Sequence, residues 1–255
     1  MGNEHPVAMK TFRADLHVHT VLSPCAEVEM IPPLIVQEAL ERHIDIIAVT
    51  DHNASANVGA VQLAAEGTGL TVIPGMEVQT YEDIHLLCLF ASLSDLETWQ
   101  QNVDQALPDA SNQPEYFGEQ FVVNADGDFI RSEPRLLLTS TEYSIEEVLE
   151  KVNSLNGAVI PAHVDRKSFG LFPTLGFLAD WWHFPALDIS RHTTPERLQE
   201  RFPSSQNHPL IQSGDVHRLD EFLGTTLFKL EAPTLDEILK AFRRENSRNI
   251  QILVP

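Results

Sequence analysis

The chain has 255 residues, of which 43% are hydrophobic and 21% charged, values that are ordinary for a globular protein and exclude a disordered or fibrous chain. Its 37 Asp and Glu against 17 Lys and Arg give a formal net charge of -20, which opposes a broad electrostatic grip on long duplex nucleic acid. No apolar run approaches the roughly 20 residues that cross a bilayer, and no signal-peptide core precedes the first motif, so we expect a cytoplasmic protein with no membrane partner.

The first predicted strand covers 14–20, ADLHVHT, and carries His17 and His19 two residues apart. Side chains at that spacing point to the same face of a strand, so both imidazoles can bind one metal ion. Taken alone, the pair is equally compatible with a polar strand face or with two satisfied core positions. Features elsewhere in the sequence are needed to choose between these interpretations.

Helices and strands alternate along the next part of the chain. The pattern predicts a helix over 33–43, a strand over 44–50, a helix over 58–69 and a strand over 70–80. Such alternation favours a parallel sheet covered by helices. A further strand at 84–90 and a helix at 95–107 follow.

This alternation breaks over about 108–142, where an Asp-Gly turn at 126–127 separates two β-prone runs. The pattern predicts an inserted hairpin and loop within one catalytic domain that spans 1–255. The alternation then resumes with a helix at 144–157, which has a Ser-x-x-Glu start and a glycine stop. The remaining predicted elements are strands at 158–164, 185–190, 208–217 and 225–232, and helices at 194–202 and 234–246.

Several of the predicted strands begin or end with histidine or a carboxylate, and these residues form a set of candidate metal ligands. The set comprises His17, His19, His52, Glu77, His85, His163, Asp215 and His217. Six histidines and two acids exceed what one tetrahedral ion can use, so the pattern indicates two or three divalent ions. These residues also have structural roles as alternatives to metal binding. For example, His52 could belong to a helix cap, His85 could be a core residue, and Asp215 could be part of a Gly-Asp turn.

In this order, the motifs DLHVHT, TDHN, GMEVQT, PAH and SGDVH resemble those of the PHP (polymerase and histidinol phosphatase) superfamily over about residues 13–217. The resemblance implies a distorted (β/α)7 barrel whose strand ends hold up to three Zn, Mn or Fe ions. It implies one ion on His17, His19, Glu77 and Asp215, and a second that Glu77 shares with His85 and His163. His52 and His217 would belong to a third ion.

One position departs from the pattern of the superfamily. Many relatives carry a histidine or aspartate shortly after the opening motif, where this chain has Cys25. A thiolate is a competent zinc ligand, and a structural cysteine is an open alternative. Glu27 or Glu29 could also complete the third site.

The resemblance implies a metal-dependent phosphoesterase that hydrolyses a small phosphorylated metabolite or nucleotide through metal-activated water. Asp51, Arg166 and His192 are the candidate catalytic groups, and Arg166, Lys167 and Arg191 are the candidate phosphate-binding groups. The alternatives are a metal-dependent hydrolase of C–N or C–O bonds on a similar barrel and a non-catalytic metal-binding module.

Overall fold

The computed structural model describes residues 8–253, and its helices and strands confirm the α/β class. The strands are β1 (Lys10–Val18), β2 (Ile46–Val49), β3 (Thr71–Gln79), β4 (His85–Leu89), β5 (Phe121–Val123), β6 (Phe129–Ser132), β7 (Ala158–Pro161), β8 (Leu187–Ile189), β9 (Leu210–Gln212), β10 (Thr226–Leu230) and β11 (Asn249–Ile252). The helices are α1 (Pro32–Glu41), α2 (Val58–Ala65), α3 (Leu93–Ala106), α4 (Pro114–Phe117), α5 (Ile145–Ser154), α6 (Leu171–Leu175), α7 (Pro195–Arg201) and α8 (Leu235–Phe242).

Seven strands form one curled sheet in the order β11-β10-β1-β2-β3-β4-β7. Within this sheet, the predicted parallel pairing holds for β1 with β2 and for β2 with β3, whereas β4 lies antiparallel to β3 and to β7. The reason is the connection: residues 80–84 form a short turn, and a parallel crossover needs a dozen or more residues. Strands β8 and β9 form a separate parallel pair.

Two layers of apolar side chains cover the sheet. One layer packs β1, β2, β4 and β10 against α8 through residues such as Leu16, Phe228 and Ile238. The other packs the opposite sheet face against α1, α2, α3 and α5, and Trp99 is its largest fully buried side chain. Helix α5 begins at the predicted capping box, in which Ser144 and Glu147 satisfy each other's backbone amides. Within residues 8–253, no helix is long and apolar enough to cross a bilayer.

The segment 108–142 contains β5 and β6, which pair with each other and not with the seven-stranded sheet. The segment lies against the loop that follows β1, and the Phe121 amide donates a hydrogen bond to the Val21 carbonyl of that loop at 2.9 Å. Gly118 of this segment packs against the same loop, because a Cβ added to it would come within 2.2 Å of the Pro24 carbonyl oxygen. Residues 108–142 therefore border the end of the sheet at which His17 and His19 lie.

Backbone pairing beyond the regular strands brings the histidine motifs together. The His19 amide donates to the Val216 carbonyl and the Val216 amide to the His17 carbonyl, both at 2.9 Å. A second isolated bridge joins His52 to Glu77. Four sequence motifs that are far apart along the chain consequently meet at one end of the sheet.

Candidate metal centre

Glu77 lies at the centre of the histidine cluster, is 1% exposed, and has five imidazole rings around its carboxylate. The nitrogen-to-oxygen distances are 2.9 Å for His52 and His85, 3.2 Å for His17 and His163, and 3.5 Å for His19. Oε2 lies 2.9 Å from Nδ1 of His52 and has no other hydrogen-bond partner among the described residues. One carboxylate thus faces more imidazole nitrogens than it can satisfy by hydrogen bonding.

Three potential ligand atoms converge beside the Glu77 carboxylate. The Nε2 atoms of His17 and His19 lie 3.1 Å apart, and each lies 3.3 to 3.5 Å from Oδ1 of Asp215. Ligands of a tetrahedral ion with bonds of about 2.1 Å are roughly 3.4 Å apart, so these separations match a coordination shell. Without an ion, one of the two nitrogens would have to carry a proton and donate to the other.

A chain of hydrogen bonds determines the tautomer of His19. The Ser23 hydroxyl donates to Asp51 at 2.7 Å, so it accepts from Nδ1 of His19 at 2.9 Å. The Nε2 atom of His19 is therefore left without a proton and turned toward Asp215 and Glu77. Both oxygens of Asp51 are occupied by Thr20 and Ser23, which makes this fully buried carboxylate a support for His19.

Two further rings are oriented by their surroundings. Nδ1 of His217 donates to the Asp215 carbonyl at 2.9 Å, which leaves Nε2 of His217 as a lone-pair donor. The ring of His85 stacks on Phe169, with centroids 4.4 Å apart and planes 5° from parallel. Phe169 has a φ of 61°, a conformation that is uncommon for a bulky residue and that local contacts must stabilise.

Asp188 lies beneath two of the candidate ligands, a role the sequence analysis missed. Its Oδ2 accepts from the His163 amide at 3.1 Å and lies 3.7 Å from Nδ1 of His17. A carboxylate behind a ligating histidine orients the ring and raises its basicity. The signal was present, because Asp188 is a carboxylate within the apolar run 185–190. Ser23 and Phe169 carry no comparable signal.

The charges of the cluster shift the pKa values in opposite directions. Burial alone would raise the pKa of Glu77, but His85, His17 and His52 hold it well below its usual range. Burial lowers the pKa of His52, and the adjacent Glu77 carboxylate outweighs this effect and raises it to about 10. Burial dominates at His85, where the pKa falls to about 4, and at His19, where it falls well below the usual value. Neutral imidazoles with free lone pairs are thus part of the buried set.

The donor set fits divalent metal ions. Three groups of residues bring their ligand atoms within 4.8 Å of one another: His17, His19 and Glu77; His52, Glu77 and His85; and His19, His52 and His217. Imidazole nitrogen and carboxylate oxygen are ordinary ligands of zinc, and a carboxylate shared between groups suits neighbouring ions. Nδ1 of His17 and Nδ1 of His163 are buried without hydrogen-bond partners, and Oδ2 of Asp188 lies 3.7 Å from Nδ1 of His17.

An open cavity of about 630 Å³ leads to this cluster. Its walls include the candidate ligands His163, Asp215 and His217, together with Arg166 and His192. Arg166 donates from Nη1 to Oδ2 of Asp215, and its side chain is 39% exposed, so its other donors are open to the cavity. His192 is exposed at the cavity wall.

Two other predicted phosphate-binding residues are arranged differently. Lys167 is exposed and does not line this cavity. Arg191 does line it, but its Nη2 donates to the backbone carbonyls of Gly214 and Glu221 at 2.5 and 2.6 Å. The sequence does not predict these placements, because the side chains of neighbouring loop residues point in different directions.

Cys25 lines the cavity together with His217, and its thiol interacts with both His217 and His52. Burial of its thiol raises the pKa, but His217 and His52 outweigh that effect and lower it to about 6. Glu27 and Glu29, the alternatives for this position, are exposed and line a separate groove, where Glu27 pairs with Arg218 at 3.4 Å. Among the three residues, Cys25 alone lies at the cavity.

The sequence model of the PHP domain family matches residues 15–166 of the chain. The matched range covers more than half of the sequence and includes most of the cluster. The chain belongs to the PHP domain family. This membership confirms the resemblance drawn from the motifs.

Three comparisons place the PHP domain among known proteins. The 5′-3′ exoribonuclease Rnm of Salmonella typhimurium is 33% identical over 73 residues, which are 28% of this chain and 24% of that protein. The lesion-specific endonuclease PfuEndoQ of Pyrococcus furiosus superposes with a TM-score of 0.73 at 19% identity, over 94% of this chain and 58% of that one. Endonuclease Q in complex with a 27-mer duplex superposes with a TM-score of 0.69 at 18% identity, with the same coverages.

The sequence led us to expect a small phosphorylated substrate and to exclude long duplex nucleic acid as a partner. This expectation was wrong. The Endonuclease Q structure holds a 27-mer duplex with an abasic lesion at its active site, on the same fold as this chain. Net charge is a sum over the whole surface, whereas binding depends on the charges and shape at the site. A charge of -20 therefore does not exclude nucleic acid from this fold.

Proposed function

We propose that this protein is a metal-dependent phosphoesterase that hydrolyses phosphodiester bonds of nucleic acid. The observation that carries the proposal is the convergence of His17, His19, Glu77 and Asp215 at donor separations of 3.1 to 3.5 Å, at the base of an open cavity. The exoribonuclease and endonuclease among the similar proteins support a nucleic-acid substrate. The chain spans about a quarter of the exoribonuclease and 58% of the endonuclease, so the substrate is our inference for this protein.

We assign the metal ligands within this proposal. The first ion would be held by His17, His19, Glu77 and Asp215, and a second by Glu77 with His85 and His163. His52, His217 and Cys25 would serve a third. When bound, divalent ions such as Zn, Mn or Fe would supply positive charge beside the phosphoryl oxygens and lower the pKa of a coordinated water toward about 7.

The remaining side chains would bind and orient the substrate. Arg166 holds Asp215 with one nitrogen, and its free donors can bind a phosphate oxygen in the cavity. His192 lies at the exposed wall, where a protonated imidazole can donate a proton to the departing strand's oxygen. Asp51 orients His19 through Ser23, so we assign it a positioning role in place of the catalytic one expected from the sequence.

The test is a substrate panel with the protein loaded in turn with Mn, Zn and Fe. The panel holds 5′-phosphorylated single-stranded RNA and DNA, duplex DNA with an abasic site, phosphomonoesters, amides and lactones. We expect cleavage of one or more nucleic acids and loss of this activity on chelation. Cleavage of amides or lactones alone, or of nothing with any metal, would contradict the proposal.

Glu77→Gln is the variant that ties the activity to the cluster. Replacing the shared carboxylate by a neutral amide should lower kcat/KM by about 1,000-fold or more and reduce the metal content of the purified protein. Glu97→Gln is the matched control, because Glu97 is an exposed acid on α3. Equal activity of the two variants would show that the cleavage arises elsewhere.

A further inference from the structure

Asp215 and His217 lie in a loop, residues 213–217, and not in a regular strand. Asp215 has a φ of 50°, in the left-handed region that side chains rarely adopt, so contacts around the loop must maintain this conformation. The Val216 amide bonds the His17 carbonyl and fixes one side of the loop to β1. The other side of the loop is held by side chains that are not candidate metal ligands.

Asp15 and Glu221 bind the amides of this loop. Oδ1 of Asp15 accepts from the Gly214 amide at 2.8 Å, and Oδ2 accepts from the Leu223 amide at 2.9 Å. Oε2 of Glu221 accepts from the His217 amide at 2.8 Å. The two carboxylates therefore connect the loop to β1 and to the turn that follows it.

Arg191 binds the carbonyls of the same two segments. Its Nη2 donates to Gly214 O at 2.5 Å and to Glu221 O at 2.6 Å, so one guanidinium connects the residue before Asp215 to the turn. The segments are already close, because a Cβ added to Gly214 would lie 2.7 Å from Glu221 O. A planar guanidinium with a rigid set of donors suits this position better than a flexible ammonium.

We infer that Arg191 is a positioning residue that holds the 213–217 loop so that Asp215 and His217 point into the metal centre. The inference rests on the proposed function only in taking these two residues as ligands. It replaces the phosphate-binding role expected for Arg191 from the sequence. The two roles predict different effects: a positioning residue affects the loop and its metal affinity without any substrate, whereas a phosphate-binding residue affects KM.

The test compares Arg191→Ala and Arg191→Lys with the wild-type protein in the absence of nucleic acid. We expect Arg191→Ala to weaken Mn²⁺ binding, measured by calorimetry, by about 10- to 100-fold, as is typical when a residue that orients a ligand is removed. Hydrogen exchange of the amides at 214–217 should become at least about 10-fold faster in the metal-free protein, because the loop opens more readily. Arg191→Lys should recover part of both losses, and added guanidinium should partly restore Arg191→Ala.

Arg197→Ala is the matched control, since it removes an exposed arginine from the neighbouring α7 without touching the loop. Its metal affinity and loop exchange should equal those of the wild type. If Arg191→Ala fails to fold, the wild-type values of both measurements are compared with those of Arg191→Lys and Arg191→Gln. Wild-type metal affinity and loop exchange in the folded variants, with an effect confined to KM, would overturn the inference.

Neither readout requires cleavage of a substrate. A wild-type protein that binds Mn²⁺ and hydrolyses nothing would contradict the proposed function and leave the positioning role of Arg191 standing. Conversely, an active enzyme whose Arg191 variants keep the loop and the metal intact would contradict the positioning role alone.

Discussion

Phe169 orients His85 through ring stacking, since the face of one ring covers the other at 4.4 Å. Phe169→Ala removes this face, so we expect His85 to sample other rotamers and Mn²⁺ affinity to fall by about 10-fold. Isothermal calorimetry of the two proteins measures the difference. Phe177→Ala provides the control, because Phe177 is 51% exposed and does not contact the cluster. An unchanged affinity in Phe169→Ala would show that the stacking is not needed to orient His85.

The candidate ligands and their supports differ in how visible they are in the sequence. The ligands stand near strand ends as histidine or acid, or two residues apart on one strand, and these local patterns mark His17, Glu77 and His163. Ser23 and Phe169 are a common loop serine and a common loop aromatic, and nothing in their neighbourhood marks them. Their roles come from contacts with residues 4 and 84 positions away, His19 and His85.

At the scale of elements, a buried ion pair joins α8 to β11. Arg248 donates from Nε and Nη2 to the two oxygens of Glu237 at 2.8 and 2.9 Å, and the Glu237 side chain is 8% exposed. Glu237→Gln leaves the guanidinium with weaker acceptors, so we expect the free energy of unfolding at neutral pH to fall. Urea titration of the two proteins measures this loss.

The same pair predicts how stability depends on pH. Hydrogen bonds from Arg248 lower the pKa of Glu237 to about 2 from its ordinary 4.5. A folded pKa below the unfolded one stabilises the protein above the unfolded value, so the contribution should be complete above about pH 5 and lost as the pH falls toward 2. The difference between wild type and Glu237→Gln should therefore shrink across this window. A difference that stays constant down to pH 2 would rule out this explanation.

Asp236→Asn is the matched control for both measurements. Asp236 is adjacent to Glu237 on α8, but its side chain is 70% exposed and pairs only with Lys240. Exposed pairs contribute little, so we expect a change below about 0.5 kcal/mol at any pH.

The elements themselves were largely predictable, whereas their pairing was predictable only in part. Helix α5 begins at the predicted capping box because the Ser144 and Glu147 contacts are local. Strands β3 and β4 were both expected, yet their antiparallel pairing depends on the length of the turn between them. The sequence pattern of a strand reports its burial and not the direction of its neighbour.

At the scale of the whole molecule, the small number of basic residues at the cavity predicts how the affinity for nucleic acid depends on salt. With few basic residues at the cavity, only about two phosphates would be neutralised, so the slope of log affinity against log salt should be about -1 to -2. Binding of a single strand to Glu77→Gln at several NaCl concentrations measures this slope without cleavage. A slope of about -4 or steeper would indicate an extended basic surface instead.

Adding Arg166→Ala to that variant provides the comparison. Loss of one phosphate contact should reduce the magnitude of the slope by about 0.7 for a single strand. An unchanged slope would indicate that Arg166 serves only Asp215.

The sequence by itself determined the α/β class, the family and the chemical types of the candidate ligands, because periodicity, strand ends and ordered motifs are local properties of the chain. The tertiary structure decided which of those residues share one cavity and which cations face it. Arg166 and Arg191 look alike in the sequence, yet one opens to the cavity and the other binds two backbone carbonyls. That distinction depends on contacts between residues 23 to 49 positions apart, and local spacing carries no information about them.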